Sequence, residues 1–368
     1  MKFEKLAEGF VTKREPGTPT AVAAGSRCAL TRDNELVCSY MVQGKLGTND
    51  FKSMLSRSRD GGKTWSEQGF LWPHLHDQFA IFGSVSRSSN GDFYIFGARN
   101  PIGKLGETFW SDETQGMIQN ELFWARSADG GKKWSDPKVI PMLIAGAAEA
   151  PGAMCVTRGG RWVCCYAPYN TLDPKVVVDR NQVACLRSDD QGKTWQYNSM
   201  VRFDNPYSTA AEAWVIELSD GRLLGTTWHL NQKDNSDHPN AYAISPDGGA
   251  TWRPTRSTGI MGQSTGLCAL PDGRALFIHN QRKHGEPGVW LALVKPTESD
   301  FGVQTNEIIW RAEKKTQSGT SGEHSQWQDF SFGEPSVTLL PDNTLLATLW
   351  CIQPSGQGIR FVKLKVAT

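Results

Sequence analysis

Four copies of one eight-residue pattern decide the fold: SRDGGKTW at residues 58–65, SADGGKKW at 127–134, SDDQGKTW at 188–195 and SPDGGATW at 245–252. The pattern is Ser-x-Asp-x-Gly-x-Thr-Trp, and only the second copy departs from it, with Lys133 in the threonine place. The aspartate can accept hydrogen bonds from backbone amides that a tight turn leaves unpaired. The glycine tolerates positive φ, and the tryptophan covers the turn with an apolar surface. The pattern therefore predicts four similar β-hairpin turns rather than a metal site.

A second repeat of longer period surrounds these copies. Six segments have the form of an apolar run, a tight turn and another apolar run, and their turns lie at Asp33, Asn90, Gly159, Asp220, Asp272 and Asp342. Successive turns are 52 to 70 residues apart, which is room for four short strands and their loops. No segment of helical period competes with the strands. The repeat predicts an all-β, six-bladed β-propeller with four-stranded antiparallel blades, built from residues 1–368 as one domain, in which residues 10–13 close the ring with the last blade.

Composition excludes several classes of function. The 368 residues carry 39 Lys+Arg and 38 Asp+Glu, a net charge of +1, which is unlike the basic surface of a nucleic-acid-binding protein. No apolar run of about 18 residues predicts a membrane span, and the first ten residues lack the apolar core of a signal peptide. The eight cysteines show no metal-binding spacing and suit a reducing compartment. We therefore expect a cytoplasmic protein with no cofactor, metal, nucleic-acid or membrane partner, and the sequence predicts no particular oligomeric state.

The starts of the first strands are the predicted place for chemistry. In each unit the hairpin turn, together with the eight-residue motif where the unit has one, lies on one face, so the first strands begin on the other face, around the axis. Three of these starts carry a glutamate: Glu212 and Glu334 lie eight residues before their turns, and Glu149 lies ten before its turn. A carboxylate at the buried end of a strand is costly unless it is paired or used. These glutamates are either catalytic or held in salt bridges and backbone contacts.

The four motifs, together with the EAWVIELSDGRLL stretch from Glu212, resemble the sialidase (neuraminidase) superfamily over nearly the whole chain. The resemblance implies a propeller enzyme with a tyrosine nucleophile, a helper glutamate, an aspartate acid/base and three arginines that bind the substrate carboxylate. By this resemblance Glu212 is the helper glutamate, Asp50 is the acid/base, and Arg282 and Arg27 are two of the three arginines.

Two positions depart from that family pattern. Trp228 and His229 stand where the remaining arginine is expected, and Gly333 and Glu334 stand where the nucleophile tyrosine is expected. Glycoside cleavage needs one protonated and one ionised carboxylate, and crowding separates the pKa values of such groups. We therefore predict a glycoside hydrolase that releases a terminal sugar, with Asp50 as the acid and Glu212 and Glu334 as ionised partners.

Two other functions fit the same scaffold. A lyase acting on a uronic sugar would use a histidine or tyrosine base, and a non-catalytic propeller would only bind glycans. The predicted substrate-binding residues are Arg282, Arg27, Glu149, His76, Trp228, His229 and Tyr169. The aromatic residues of the upper loops, which either stack on sugar rings or pack on one another, are Trp72, Phe109, Trp110, Trp228 and Trp327.

Overall fold

The computed structural model describes residues 2–234, 236–313 and 330–367, and their regular structure is almost entirely β-strand. In chain order the strands are β1 (Lys2–Arg14), β2 (Val22–Leu30), β3 (Leu36–Gln43), β4 (Lys52–Ser58), β5 (Ser66–Phe70), β6 (Phe79–Arg87), β7 (Phe93–Pro101), β8 (Trp110–Ser111), β9 (Gly116–Met117), β10 (Glu121–Ser127), β11 (Lys138–Ile140), β12 (Ala147–Glu149), β13 (Cys155–Val156), β14 (Trp162–Thr171), β15 (Gln182–Ser188), β16 (Gln196–Arg202), β17 (Ser208–Glu217), β18 (Leu223–Asn231), β19 (Asp237–Ser245), β20 (Arg256–Ser257), β21 (Gln263–Ala269), β22 (Ala275–Gln281), β23 (Gly288–Val294), β24 (Val303–Arg311), β25 (Phe332–Leu339), β26 (Leu345–Gln353) and β27 (Gly356–Ala367). A 3₁₀ turn spans Pro73–Leu75. Within the described ranges, no helix is both long and apolar enough to cross a bilayer.

The strands form a propeller of four-stranded antiparallel sheets, as the repeat predicts. Five sheets have this form, with strand orders β2-β3-β4-β5, β6-β7-β10-β11, β17-β18-β19-β20, β21-β22-β23-β24 and β25-β26-β27-β1. The hairpin that opens each of these sheets contains one of the predicted turns. Adjacent sheets pack face to face through buried side chains, as where Tyr94 of β7 lies 4.9 Å from Trp162 of β14.

The prediction of six regular blades is wrong for the third unit. That unit is a seven-stranded sheet of order β16-β15-β14-β9-β8, to which the short strands β12 and β13 add. Its first strand is interrupted at residues 150–154, where Pro151 lacks the amide proton that a continuous ladder requires. The loop before it supplies β8 and β9, and β9 pairs in parallel with β14. The regular blades therefore number five.

The amino-terminal strand closes the ring, as predicted. β1 pairs antiparallel with β27, with Phe10 opposite Arg360 and Lys13 opposite Gly358. This pairing joins the first segment of the chain to the last sheet and covers an edge that would otherwise be open.

The eight-residue motif forms the turn that its chemistry predicts. In the first copy, Asp60 Oδ1 accepts hydrogen bonds from the backbone amides of Lys63 and Thr64 at 3.0 and 2.9 Å. The Trp65 indole donates back to the carbonyl of Gly62 at 3.0 Å. The other three copies repeat the aspartate-to-amide bonds. The motif therefore satisfies turn amides, and none of its residues borders the cavity described next.

Candidate active site

A cavity of about 240 Å³ lies where the first strands of the sheets converge. Its charged lining residues are Glu149, Glu212, Glu334, Arg282 and Lys283, which come from four different sheets or their loops. Much of the remaining lining is aromatic or alanine, so few polar groups face a ligand there. A concave, largely apolar site with a few convergent polar groups is typical of small-molecule binding.

One position of the repeat contributes a residue to the cavity wall from five of the six units. The residues eight positions before each predicted turn are Gly25, Phe82, Pro151, Glu212, Ser264 and Glu334. All of them except Gly25 border the cavity. At Gly25 a side chain has no room, because a Cβ would lie 2.3 Å from the Phe82 ring. This part of the cavity wall is therefore formed by equivalent residues from different sheets.

The backbone at this position has positive φ in four of the units, and it is strained in the three where the residue is not glycine. Gly25, Glu212, Ser264 and Glu334 have φ values of 66°, 49°, 46° and 42°. Each lies at an irregularity in the pairing of the first two strands of its sheet. A β-bulge re-aims a side chain, and a non-glycine residue in the left-handed region costs on the order of 1–3 kcal/mol. Such strain is concentrated at functional sites, which favours a role for Glu212 and Glu334.

Glu149 reaches the same cavity by a different route. It is the last residue of β12, directly before the interruption in the third unit, and it pairs with Ala167 of β14. Its Oε2 accepts a hydrogen bond from the backbone amide of Glu212 at 2.6 Å. The interruption therefore places a third carboxylate beside the other two, although its offset from the turn differs.

Burial raises the pKa values of all three carboxyl groups, and repulsion by a neighbouring carboxylate adds to this at Glu149 and Glu212. Burial, followed by the charge of Glu212, raises the pKa of Glu149 well above its ordinary value. Burial, followed by the charge of Glu334, raises the pKa of Glu212 to about 7, although Ser264 Oγ donates to its Oε1 at 2.5 Å. Burial also raises the pKa of Glu334, against the opposing charges of Arg27 and Arg282. Glu149 is therefore the carboxyl most favoured to hold a proton, and Glu334 is the one whose pKa the arginine charges oppose most directly.

The two predicted arginines have different places. Arg282 borders the cavity, and its guanidinium lies 3.6 Å from the Phe330 ring centroid and 6.0 Å from that of Trp228. Its Nη1 donates to the carbonyl of Phe332 at 3.1 Å, and burial lowers its pKa to about 10.

Arg27 lies deeper and does not border this cavity. Its guanidinium donates to the carbonyls of Ser26, Glu334 and Pro151 at 2.7, 3.1 and 3.3 Å and stacks over Trp214. It borders a second cavity at the other end of the first strands. Arg27 therefore supports the site from outside the cavity, because it is buried and donates to the backbone carbonyl of Glu334. The structure does not support its predicted place as a direct substrate ligand.

Asp50, the acid expected from the sequence, is not among the residues that border the cavity, although its neighbour Phe51 is. Its carboxylate accepts hydrogen bonds from Thr48 Oγ1 at 2.5 Å and from the Gly44 amide at 3.4 Å. These contacts cap its own loop. Of the predicted catalytic residues and Arg282, the structure brings Glu212, Glu334 and Arg282 to one cavity but not Asp50.

The two predicted histidines lie outside the cavity. His229 follows Trp228 along β18, and because successive side chains of a strand point to opposite faces, Trp228 borders the cavity while His229 faces away. The His229 ring stacks on Phe203 at 4.0 Å, and burial lowers its pKa to about 4. His76 ends the 3₁₀ turn and contacts the Leu71 carbonyl at 2.9 Å. Of the predicted histidines and tyrosine that could serve as the base of a lyase, only Tyr169 borders the cavity, and burial raises its pKa.

The aromatic residues of the upper loops divide between the two expected roles. Phe109, Trp110 and Trp228 border the cavity. Trp72 instead packs edge-on against Phe123 at 5.6 Å and donates to the Ser135 carbonyl. Trp327 lies outside the described residues.

Sequence reasoning missed several polar residues of the wall. Ser264 occupies the same repeat position as Glu212 and Glu334, so counting back from the turn of the fifth unit would have found it. Lys283, Asn100 and Asn120 also border the cavity, and no motif marks them. Within the described residues, no group of three or more His, Cys, Asp and Glu side chains has the geometry to hold a metal ion.

Comparison with known proteins agrees with this architecture. The model of the BNR repeat-like domain family matches residues 103–312. A sialidase of Bacteroides fragilis is 29% identical over 217 residues, which are 54% of this chain and 36% of that protein. A sialidase of Micromonospora viridifaciens is 24% identical over 98% of this chain and 52% of its own length. The chain thus spans about half, or less, of the curated relatives that it matches.

Solved structures share the fold. A protein of unknown function from Dyadobacter fermentans aligns with a TM-score of 0.74 and 19% identity, over 99% of each chain. An α-L-arabinanase of Penicillium chrysogenum, solved with arabinobiose, aligns with a TM-score of 0.65 and 12% identity over 98% of each chain. At these identities the likeness extends to the fold alone.

Proposed function

The chain belongs to the BNR repeat-like domain family, within the sialidase superfamily, and from that premise we propose that it is a glycoside hydrolase that releases a terminal sugar. The observation that carries the proposal is the meeting of Glu149, Glu212 and Glu334, from three sheets, on one small cavity. We also propose that the seven-stranded sheet serves as the sixth blade and that residues 1–368 form one domain.

The environments of the three carboxyl groups suggest which catalytic role each one has. Glu149 is the proposed proton donor, because burial and the neighbouring Glu212 charge favour its protonated form. Glu334 or Glu212 is the proposed ionised partner, as nucleophile or as base for water, with Arg282 and Arg27 favouring the ionised form. Asp50, which caps its own loop, is replaced by Glu149 in this scheme.

The carboxylates also constrain the sugar. A sialoside carries a carboxylate on its anomeric carbon, which would face the charge of a carboxylate nucleophile at short range. A sugar without an anomeric carboxylate meets no such repulsion, so we propose an aldose-type substrate, including uronic acids that Arg282 and Lys283 could bind. This chain also shares its fold with an α-L-arabinanase, so we include arabinofuranosides among the candidate substrates.

A panel of 4-methylumbelliferyl glycosides tests the proposal. We expect release of the fluorophore from at least one arabinofuranoside, uronide or neutral hexoside, and little release from the sialic-acid conjugate. Efficient cleavage of the sialic-acid conjugate would refute the substrate assignment. A uronic-acid oligosaccharide tests the lyase alternative, because elimination removes the C5 proton and expels the sugar attached at C4. A product that absorbs ultraviolet light through the new conjugated double bond would indicate that reaction, with Tyr169 as the candidate base. Sugar binding without turnover of any conjugate would indicate a glycan-binding propeller.

A further inference from the structure

A buried carboxylate just behind the cavity wall organises that wall. Asp237 is the first residue of β19, and its side chain is 0% exposed. Its Oδ1 accepts a hydrogen bond from the Trp228 indole at 3.0 Å, and its Oδ2 accepts one from Gln263 Nε2 at 2.7 Å and one from His284 Nε2 at 2.8 Å. A buried carboxylate is tolerated when donors satisfy it in this way.

Two of these partners, Trp228 and Gln263, connect Asp237 to the cavity wall. Trp228 itself borders the cavity. Gln263 uses its other end, Oε1, to accept the backbone amide of Arg282 at 2.9 Å. Lys283, which also borders the cavity, has its Nζ 3.9 Å from Asp237 Oδ1. One carboxylate thus fixes an aromatic ring and two consecutive cationic residues.

The three short contacts need a carboxylate rather than an amide. Oδ2 receives two N–H donors, one from Gln263 and one from His284, while Oδ1 receives the Trp228 donor. An asparagine has one acceptor oxygen and one NH2 group, so at least one of these donors would face another donor. The carboxylate also supports the charge of Arg282, since its field raises the pKa of that guanidinium against the effect of burial.

We propose that Asp237 is a positioning residue for substrate binding: it holds Trp228 directly, and Arg282 through Gln263, in the orientation that faces the cavity. Asp237 itself does not border the cavity, so it acts through these residues. The effect of Asp237 on substrate binding rests on the proposed glycosidase function, whereas its effect on the position of the Trp228 indole does not.

Two variants and one control test the proposal in the full-length chain. Asp237→Ala removes all three contacts. Asp237→Asn keeps the shape of the side chain, and it also serves for the resonance measurement if the alanine variant does not fold. Asp234→Asn is the matched control, because Asp234 is an exposed carboxylate that precedes the same strand and caps Ser236. The first readout is the indole N–H resonance of Trp228 in ¹⁵N-tryptophan-labelled protein, assigned by its loss in Trp228→Phe. The second is the steady-state kinetics of whichever aryl glycoside the wild-type protein cleaves.

We expect the Trp228 resonance to move in Asp237→Ala and to stay in place in the control. On the aryl glycoside, KM should rise on the order of tenfold in Asp237→Asn, while kcat changes less than about threefold, because the wall that binds the sugar is loosened and the carboxylates are not. The fold increase in KM caused by Asp237→Asn should be smaller in a Trp228→Phe background than in the wild type, since the effects of residues that act together are non-additive.

An unmoved Trp228 resonance in Asp237→Ala, or in Asp237→Asn if only that variant folds, would overturn the proposal. An equal fold increase in KM on Asp237→Asn in the two backgrounds would also overturn it, and so would a fall in kcat with no change in KM. If no glycoside is cleaved by the wild-type protein, the proposed function fails, and the resonance alone then decides whether Asp237 positions Trp228.

Discussion

Replacing Glu212 by glutamine should make the protein more stable at alkaline pH while leaving its stability at acid pH unchanged. The pKa of Glu212 rises from an ordinary 4.5 to about 7 on folding, first through burial and then through the charge of Glu334. The folded protein therefore holds this proton more tightly than the unfolded chain does, and stability is lost as pH rises from about 4.5 to about 7. A tenfold change in an acid constant is worth about 1.4 kcal/mol, so the ionised side chain costs about 3 kcal/mol above pH 7.

Glutamine removes this cost because it stays neutral and can still accept the hydrogen bond from Ser264. With an unfolding entropy of about 2.1 cal/mol/K per residue, 3 kcal/mol corresponds to a Tm about 4 °C higher in a chain of this length. Scanning calorimetry of Glu212→Gln and wild type at pH 4.5 and pH 8 measures the difference, with the exposed Glu15→Gln as control. A variant whose Tm at pH 8 equals or falls below that of the wild type would show that Glu212 is not a buried, repelled carboxylate.

Three further predictions follow from the same contacts. Glu149→Gln should lower kcat on a 4-methylumbelliferyl glycoside by about 10²–10⁴-fold, as expected for loss of a general acid. The loss of kcat should be smaller on a dinitrophenyl glycoside, whose leaving group needs no proton. An equal loss on the two substrates would argue against the acid role. Glu334→Gly should be more stable than Glu334→Ala by about 1 kcal/mol in urea unfolding, because only glycine adopts φ of 42° without strain, and the reverse order would contradict the strain. Asp60→Ala should lower Tm and leave turnover unchanged. Because hydrogen bonds lower the pKa of Asp60 to about 2, the difference in Tm between wild type and variant should shrink as pH falls from about 4 toward 2. A Tm difference that stays constant over this range would mean that the charge is not involved.

Much of the fold follows from the sequence because its repeats encode local structure. The aspartates and glycines of the eight-residue motif fix turn geometry within a few residues, so they predict hairpins without any knowledge of distant contacts. The pairing of β1 with β27 could also be predicted, because an open sheet edge needs covering. The third unit could not, since its added strands depend on where the long loop of residues 102–120 returns to β14 rather than on any local pattern.

The candidate site was predictable where the repeat carries it and not elsewhere. Counting back from the turns places Glu212 and Glu334 on the axis, because equivalent positions of a propeller are equivalent in space. The side-chain direction of His229 follows from strand alternation once Trp228 is known to face inward. Asp50 and Asp237 show the limit of prediction from the sequence, because each lies at the end of a loop whose path is set by tertiary contacts. Only the structure shows that Asp50 caps its loop and that Asp237 supports the cavity wall.

The most direct test of the account is a crystal structure of the Glu149→Gln variant with an intact glycoside from the substrate panel. The account predicts that the sugar lies in the 240 Å³ cavity, with the glycosidic oxygen within hydrogen-bonding distance of the side chain at position 149 and the anomeric carbon facing Glu212 or Glu334. A sugar bound with its anomeric carbon remote from all three positions, or bound in the second cavity beside Arg27, would contradict the central claim that these carboxylates form the active site.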